Sequence, residues 1–225
     1  MTQNSKVAVV TGGAQGIGKA IVKAFLEKGW ATVVADSDRE AGEETSRELA
    51  SLGTVVFIET DVSIEEQVEH LFQQTMRHFG RIDALINNAG ISHNKALEYL
   101  TLEEWNRVLG VNLTGTFLCA KHASPHLKNT GGSIISIAST RAFMSEACTE
   151  AYSASKGDDH TVGSGAGGTA NDCAEVVRVL DAVQHDDQPI LPRVAAAVKN
   201  CIKFRVGKTF DPEGNSLMVV VAAKP

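Results

Sequence analysis

A chain of 225 residues, 43% hydrophobic and 21% charged, is large enough to bury one α/β core and is globular in composition rather than disordered. Its net charge of −6, with no basic cluster, argues against a nucleic-acid surface. No apolar run reaches membrane-spanning length and Met1-Thr2-Gln3-Asn4-Ser5-Lys6 is not a signal peptide, so the expectation is a cytoplasmic protein with no membrane partner.

The Val-rich run Val7-Ala8-Val9-Val10 predicts a strand buried on both faces of a parallel sheet. A glycine-rich turn follows, then a helix over 17–28. A second strand is predicted over 31–36, a helix over 39–52, a third strand over 55–58 and a helix over 64–79. Residues 84–86 give a fourth strand and 133–137 a fifth. Between them, 102–127 is one long helical region, with a break expected near Gly115 and a disturbance at Pro125. Apolar strands alternating with helices predict an α/β, Rossmann-like, doubly wound parallel sheet with helices on both faces.

Thr11-Gly12-Gly13-Ala14-Gln15-Gly16-Ile17-Gly18 joins the first strand to the first helix. Glycines there permit a tight turn and close backbone approach to a pyrophosphate, and the helix N-terminus offers free N–H groups to an anion. Asp36 closes the second strand, about 20 residues beyond the turn, where a carboxylate can accept hydrogen bonds from the adenosine ribose and repel a 2′-phosphate. No Arg or Lys stands at 35–38 or in the turn, which favours NAD over NADP. Asp36 can equally cap the next helix, a role that Asp38 can also fill.

Tyr152 and Lys156 are spaced to share one face of a helix, and Ser139 precedes them at the end of the fifth strand. A nearby ammonium favours the phenolate of a tyrosine, and a serine hydroxyl can hold a substrate oxygen, so the three can move a proton on and off that oxygen. The histidines are scattered; His122 and His126 share a helix face without a third ligand, so no metal site is expected. Cys119, Cys148, Cys173 and Cys201 lack paired spacing and are expected as reduced thiols.

Together, Thr11 to Gly18, Asn87-Asn88-Ala89-Gly90, Asn112, Ser139 and Tyr152-x-x-x-Lys156 resemble the short-chain dehydrogenase/reductase family in its compact single-domain form, over residues 6–157. The resemblance implies an NAD(P)-dependent oxidoreductase that interconverts a secondary alcohol and a carbonyl. It implies Tyr152 as acid/base and Lys156 as the residue that lowers the tyrosine pKa and binds the nicotinamide ribose. Ser139 would hold the substrate oxygen, and Asn112 would anchor a water in the proton relay. Gly12, Gln15, Gly16, Ile17 and Gly18 would bind the pyrophosphate region. Asp61 and Val62 would meet the adenine, and Asn88, Ala89 and Gly90 would line the cofactor. Asp61 can also be read as a helix N-cap, and Asn88 as a residue that satisfies backbone groups at a strand end. The partner implied is a small alcohol or carbonyl substrate, and family members are often dimers or tetramers. Met144, Ala147 and Cys148 suggest a moderately apolar pocket wall, which does not identify the substrate.

After Gly157 the resemblance stops. Residues 1–157 are expected as the dinucleotide-binding and catalytic part, and 158–225 as an atypical segment with a Gly-rich linker at 163–168. Helices are predicted over 174–183 and 194–202, and a strand over 216–222. A shifted reading frame, a fusion through the linker and a divergent folded half are all open as the origin of this tail. The shifted frame ranks first, because plausible codons read one base later allow an apolar, family-like helix after Gly157 and an Ile-Ser-Pro turn at 187–189. In each case the support for Tyr152 would be altered, which leaves a catalytically impaired dinucleotide-binding protein as the alternative function.

Overall fold

The computed structural model describes residues 5–137, 139, 141, 146–157 and 220–223. The glycine linker, both tail helices, Met144, Cys173, Cys201, His160 and His185 lie outside the described residues.

The strands are β1 (Val7–Thr11), β2 (Ala31–Asp36), β3 (Val55–Glu59), β4 (Ala84–Asn87), β5 (Ser133–Ile137) and β6 (Val220–Ala223). They form one sheet in the order β3-β2-β1-β4-β5-β6. The first five are parallel, with Val9 opposite both Val33 and Leu85. The order reverses at β1, so the C-terminal strand ends open a crevice there, the place where such sheets bind ligands. The five strands of the first 157 residues form the expected parallel sheet, and β6, from the tail where a strand is predicted over 216–222, joins its edge antiparallel to β5. A strand at an edge carries unpaired N–H and C=O groups, and β6 satisfies those of β5.

The helices are α1 (Gly16–Glu27), α2 (Arg39–Leu49), α3 (Glu65–Phe79), α4 (Leu102–Leu109), α5 (Gly115–Thr130) and α6 (Glu150–Gly157). They explain why the strands are apolar without alternation. Val10, Val34, Ile86 and Ile135 face one core with Ile21 and Phe25 of α1. Their neighbours Val9, Val33, Leu85 and Ile134 face a second core with Leu71 and Phe72 of α3. Successive side chains point to opposite faces, and both faces are covered. Burying each large side chain contributes about 2 kcal/mol.

Glycines stop the helices sharply: Gly80, at φ 71°, returns its N–H to the Met76 carbonyl. Helix α2 ends at Leu49, short of the predicted residue 52, because the Leu52 N–H bonds the Leu49 carbonyl three residues back and tightens the turn. The long helix predicted over 102–127 is two helices joined by a π-turn at Gly110–Thr114. Pro125 lies inside α5 without ending it.

Thr101 opens α4 with a reciprocal capping box. Its hydroxyl accepts from the Glu104 N–H at 3.2 Å, and Glu104 Oε2 accepts from the Thr101 N–H at 2.9 Å. Lys95 Nζ donates to Glu104 Oε1 at 2.7 Å. The Lys95 hydrogen bond first, then the Thr101 backbone N–H, hold the Glu104 carboxyl down at about 2. A carboxyl held below its unfolded value stabilises the fold above that value, and the contribution is lost as pH falls towards the folded one. Amide hydrogen exchange over 101–109 should therefore quicken as pH falls from 4.5 towards 2, beyond the intrinsic pH effect, and Glu104→Gln should remove that excess.

Candidate functional site

The turn after β1 is locked by polar contacts. Thr11 Oγ1 accepts from the backbone N–H groups of Asn88 and Ala89, both at 3.1 Å. The Asn88 amide donates to the carbonyls of Thr11 and Gly12, both at 3.0 Å. Asn88 thus satisfies strand-end backbone groups, and in doing so it sets the spacing of the loops after β1 and β4. Gly12 and Gly16 have positive φ, 61° and 51°. A Cβ on Gly18 would sit 1.9 Å from the Gly12 carbonyl oxygen, whereas one on Gly16 would meet nothing within 4 Å. The loop is therefore closed against α1 at Gly18 and open at Gly16.

Gln15 precedes α1 without a side-chain cap bond, and the first turn of α1 has no acidic residue. The first N–H groups of the helix are left for an anion. These features fit the diphosphate of a dinucleotide. A cleft of about 520 Å³ begins at this turn, lined by Gly12, Gln15, Gly16, Ile17 and Gly18. It runs along the C-terminal edge of the sheet, past Asp36, Asp61 and Val62 on the β2–β3 side and past Asn88, Ala89 and Gly90 to Tyr152 and Lys156 on the other.

Asp36 does not cap α2. Asp38 does, accepting from the Ala41 N–H at 3.0 Å. Asp36 instead accepts from the Ala14 N–H at 3.0 Å and the Asp38 N–H at 3.1 Å. It is tied to the glycine turn and half-exposed on the cleft.

Asp61 does not cap α3, whose N-cap is Ile64. Its Oδ1 accepts from the Ser63 N–H at 3.0 Å and the Ser63 hydroxyl at 2.6 Å, and its Oδ2 accepts from Arg107 Nη2 at 2.8 Å. Burial pushes the Asp61 carboxyl up, but the bonds from Arg107 and Ser63 together outweigh it and hold the group below its ordinary value. Sequence reasoning missed Arg107, which lines the cleft, as do Ser37, Thr60, Ile91, Val111 and Ile137. No local signal marks Arg107, since its partners Asp61 and Ser63 lie far away in sequence.

At the other end, α6 places Tyr152 and Lys156 one turn apart, and both line the cleft. Lys156 is buried and its Nζ donates to the Ile137 carbonyl at 2.8 Å. Ser139, just beyond β5, is buried and accepts from the Arg141 N–H at 3.2 Å. Asn112 is fully buried at the centre of the π-turn. Its Oδ1 accepts from the Ile91 N–H at 2.8 Å, and its Nδ2 donates to the Ile91 carbonyl at 3.0 Å and to Ser155 Oγ at 2.9 Å. Ser139 and Asn112 are not among the residues that line the cleft. Both polar atoms of the Asn112 side chain bond protein partners, and the bond to Ser155 ties the π-turn to α6. Asn112→Ala should remove three hydrogen bonds, leaving the Ile91 N–H and carbonyl without this partner while Ser155 Oγ keeps its bond to the Tyr152 carbonyl, and cost about 2 kcal/mol, read as a fall in denaturant midpoint.

Among the described residues no group of His, Cys, Asp and Glu is arranged to hold a metal. His122 contacts Glu65 at 3.1 Å. Cys119 is buried, and burial pushes its thiol up to about 12. No described helix is long and apolar enough to cross a membrane.

The chain is 49% identical over 154 residues to an uncharacterized oxidoreductase of Thermotoga maritima, a match that covers 68% of this chain and 60% of the relative. It is 38% identical over 154 residues to the NADP-dependent (R)-specific alcohol dehydrogenase of Lentilactobacillus kefiri, covering 68% of this chain and 61% of that one. This chain thus spans about three-fifths of both relatives. The fold matches a short chain dehydrogenase/reductase from Burkholderia phymatum in complex with NAD, with TM-score 0.66 and 31% identity, covering 70% of this chain and 57% of that one. The family model for short chain dehydrogenase matches residues 6–162, and on that match the chain belongs to the short-chain dehydrogenase family.

Proposed function

We propose that the chain is an NAD-dependent oxidoreductase that interconverts a secondary alcohol and a carbonyl. The observation that carries this reading is the single cleft with an uncapped helix N-terminus and Asp36 on one side and Tyr152 with Lys156 on the other. The glycine turn and the first N–H groups of α1 would hold the diphosphate. Asp36 would hold the adenosine ribose, and Asp61 and Val62 the adenine. A bound nicotinamide dinucleotide supplies the hydride acceptor or donor.

The protein's own part is orientation and proton transfer. Tyr152 takes the proton from the substrate hydroxyl during oxidation and returns it during reduction. Lys156, held on the Ile137 carbonyl, places its ammonium on the face of α6 that carries Tyr152, where it would also bind the nicotinamide ribose. This reading requires Ser139, buried just beyond β5, to hold the substrate oxygen. Asn112 and Ser155 fix the helix on which both residues stand.

Asp36 supports NAD rather than NADP. Two unit charges 4 Å apart in water interact by about 1 kcal/mol, and a 2′-phosphate carries nearly two charges. Asp36→Ala should therefore lower the ratio of NADH to NADPH affinity at least about tenfold, read by fluorescence titration.

The position of Ser139 off the cleft favours a second reading, dinucleotide binding without turnover. Assay of the full chain with NAD and a panel of secondary alcohols, and with NADH and the matching ketones, separates the two. Turnover supports the first reading, while binding with no turnover across the panel replaces it with the second.

A further inference from the structure

We infer that Arg107 is a positioning residue for adenine recognition, fixing the Asp61 carboxylate so that one lone pair of Oδ2 faces the cleft. The inference rests on the dinucleotide reading given under Proposed function. An ionised carboxylate offers about four acceptor sites, two on each oxygen. On Asp61, both sites of Oδ1 are taken by the N–H and hydroxyl of Ser63. One site of Oδ2 is taken by Arg107 Nη2. The other arm of the same guanidinium, Nη1, donates to Ser63 Oγ at 2.7 Å and closes a triangle of three side chains. This leaves one acceptor site on Oδ2, in a residue that lines the cleft beside Val62.

A rigid guanidinium fork sets direction as well as charge, which a flexible ammonium does not. The base of the triangle is itself fixed. The Asp61 N–H donates to Gln67 Oε1 at 2.7 Å. A Cβ on Gly115 would lie 2.6 Å from Val62 Cγ2, so the π-turn that follows Arg107 delivers α5 directly against the neighbour of Asp61. A fixed acceptor selects a partner that offers an amino group and disfavours one that presents a carbonyl oxygen. The 6-amino group of adenine meets that demand, and the 6-oxo group of hypoxanthine does not. Without Arg107, Asp61 keeps its bonds to Ser63 but loses the donor that orients Oδ2.

The test is fluorescence titration of the full chain with NADH and with the reduced nicotinamide hypoxanthine dinucleotide, which differ at the 6-substituent and at the adjoining N1, an acceptor in adenine and an N–H in hypoxanthine. The wild-type chain should prefer NADH by about tenfold, the range of a hydrogen bond to a charged group. Arg107→Met should bring the ratio close to one, and Arg107→Lys, which restores the charge without the fork, should give an intermediate ratio. A merely structural role for Arg107 would weaken both dinucleotides equally and leave the ratio unchanged, which would overturn the inference while leaving the dinucleotide reading intact. Should Arg107→Met fail to fold, an unchanged ratio in Arg107→Lys overturns it just as well. Binding of neither dinucleotide by the wild-type chain would overturn both.

Discussion

Tyr152→Phe should lower turnover about a thousandfold while leaving NADH affinity within about twofold, because general acid–base groups contribute about 10²–10⁴ in rate. The substitution removes one oxygen and keeps the ring that lines the cleft. It leaves the backbone carbonyl of Tyr152, which accepts from Ser155 Oγ at 2.7 Å, and so leaves the clamp through Asn112 in place. Initial rates with a substrate found in the alcohol and ketone panel, together with NADH titration, measure the two effects separately. Equal turnover in the variant and the wild type would remove Tyr152 from the chemistry. A parallel loss of NADH binding would show that the hydroxyl serves cofactor binding and not proton transfer alone.

Gly18→Ala should weaken NADH binding about a hundredfold and lower the thermal midpoint. The added Cβ would meet the Gly12 carbonyl oxygen at 1.9 Å and Asn88 Nδ2 at 2.7 Å. Both atoms belong to the lock between the loops after β1 and β4, where the Asn88 amide donates to the Gly12 carbonyl. Backbone and a committed amide cannot yield as a flexible side-chain end can. Either α1 moves away from the turn or the turn opens, at a cost of about 1–3 kcal/mol for overpacking. A displacement of about 1 Å at a positioned group is enough for a hundredfold effect. Titration with NADH and a melt of the unliganded variant check the two parts. Unchanged binding in a folded Gly18→Ala variant would mean that the close approach at this position is not what shapes the diphosphate site.

The sheet was legible because its signal is local and repeated. Val7 to Val10, Ala31 to Asp36 and Ser133 to Ile137 are apolar runs bounded by turn residues, and the matching strands occupy nearly the same residues. The residues expected at the cofactor converge on one cleft for the same reason: strand ends and the loops after them meet along one edge of a parallel sheet. What was not legible depends on distant partners. The break in the helix over 102–127 was expected at Gly115, but its form, a π-turn around the buried Asn112, follows from bonds to Ile91 and Ser155 across the fold. The choice between Asp36 and Asp38 as the α2 cap was open in the sequence, because both residue types cap helices; Asp38 takes the role. Arg107 was missed because a charge near a helix end is usually solvated, and only folding brings it to Asp61. The antiparallel β6 was equally hidden, since the sequence of a strand does not state its direction.

Binding of a nicotinamide dinucleotide by this chain is the central claim. A thermal melt of the full chain with and without NADH tests that most directly. Saturation at about 100 times Kd stabilises a binding fold by about 2.7 kcal/mol, and each kcal/mol moves Tm by about 2–4 °C in a domain of this size. The expected result is therefore a single cooperative transition that rises by roughly 5–10 °C with NADH. A cooperative melt that NADH does not move, at any concentration up to the millimolar range, would contradict it.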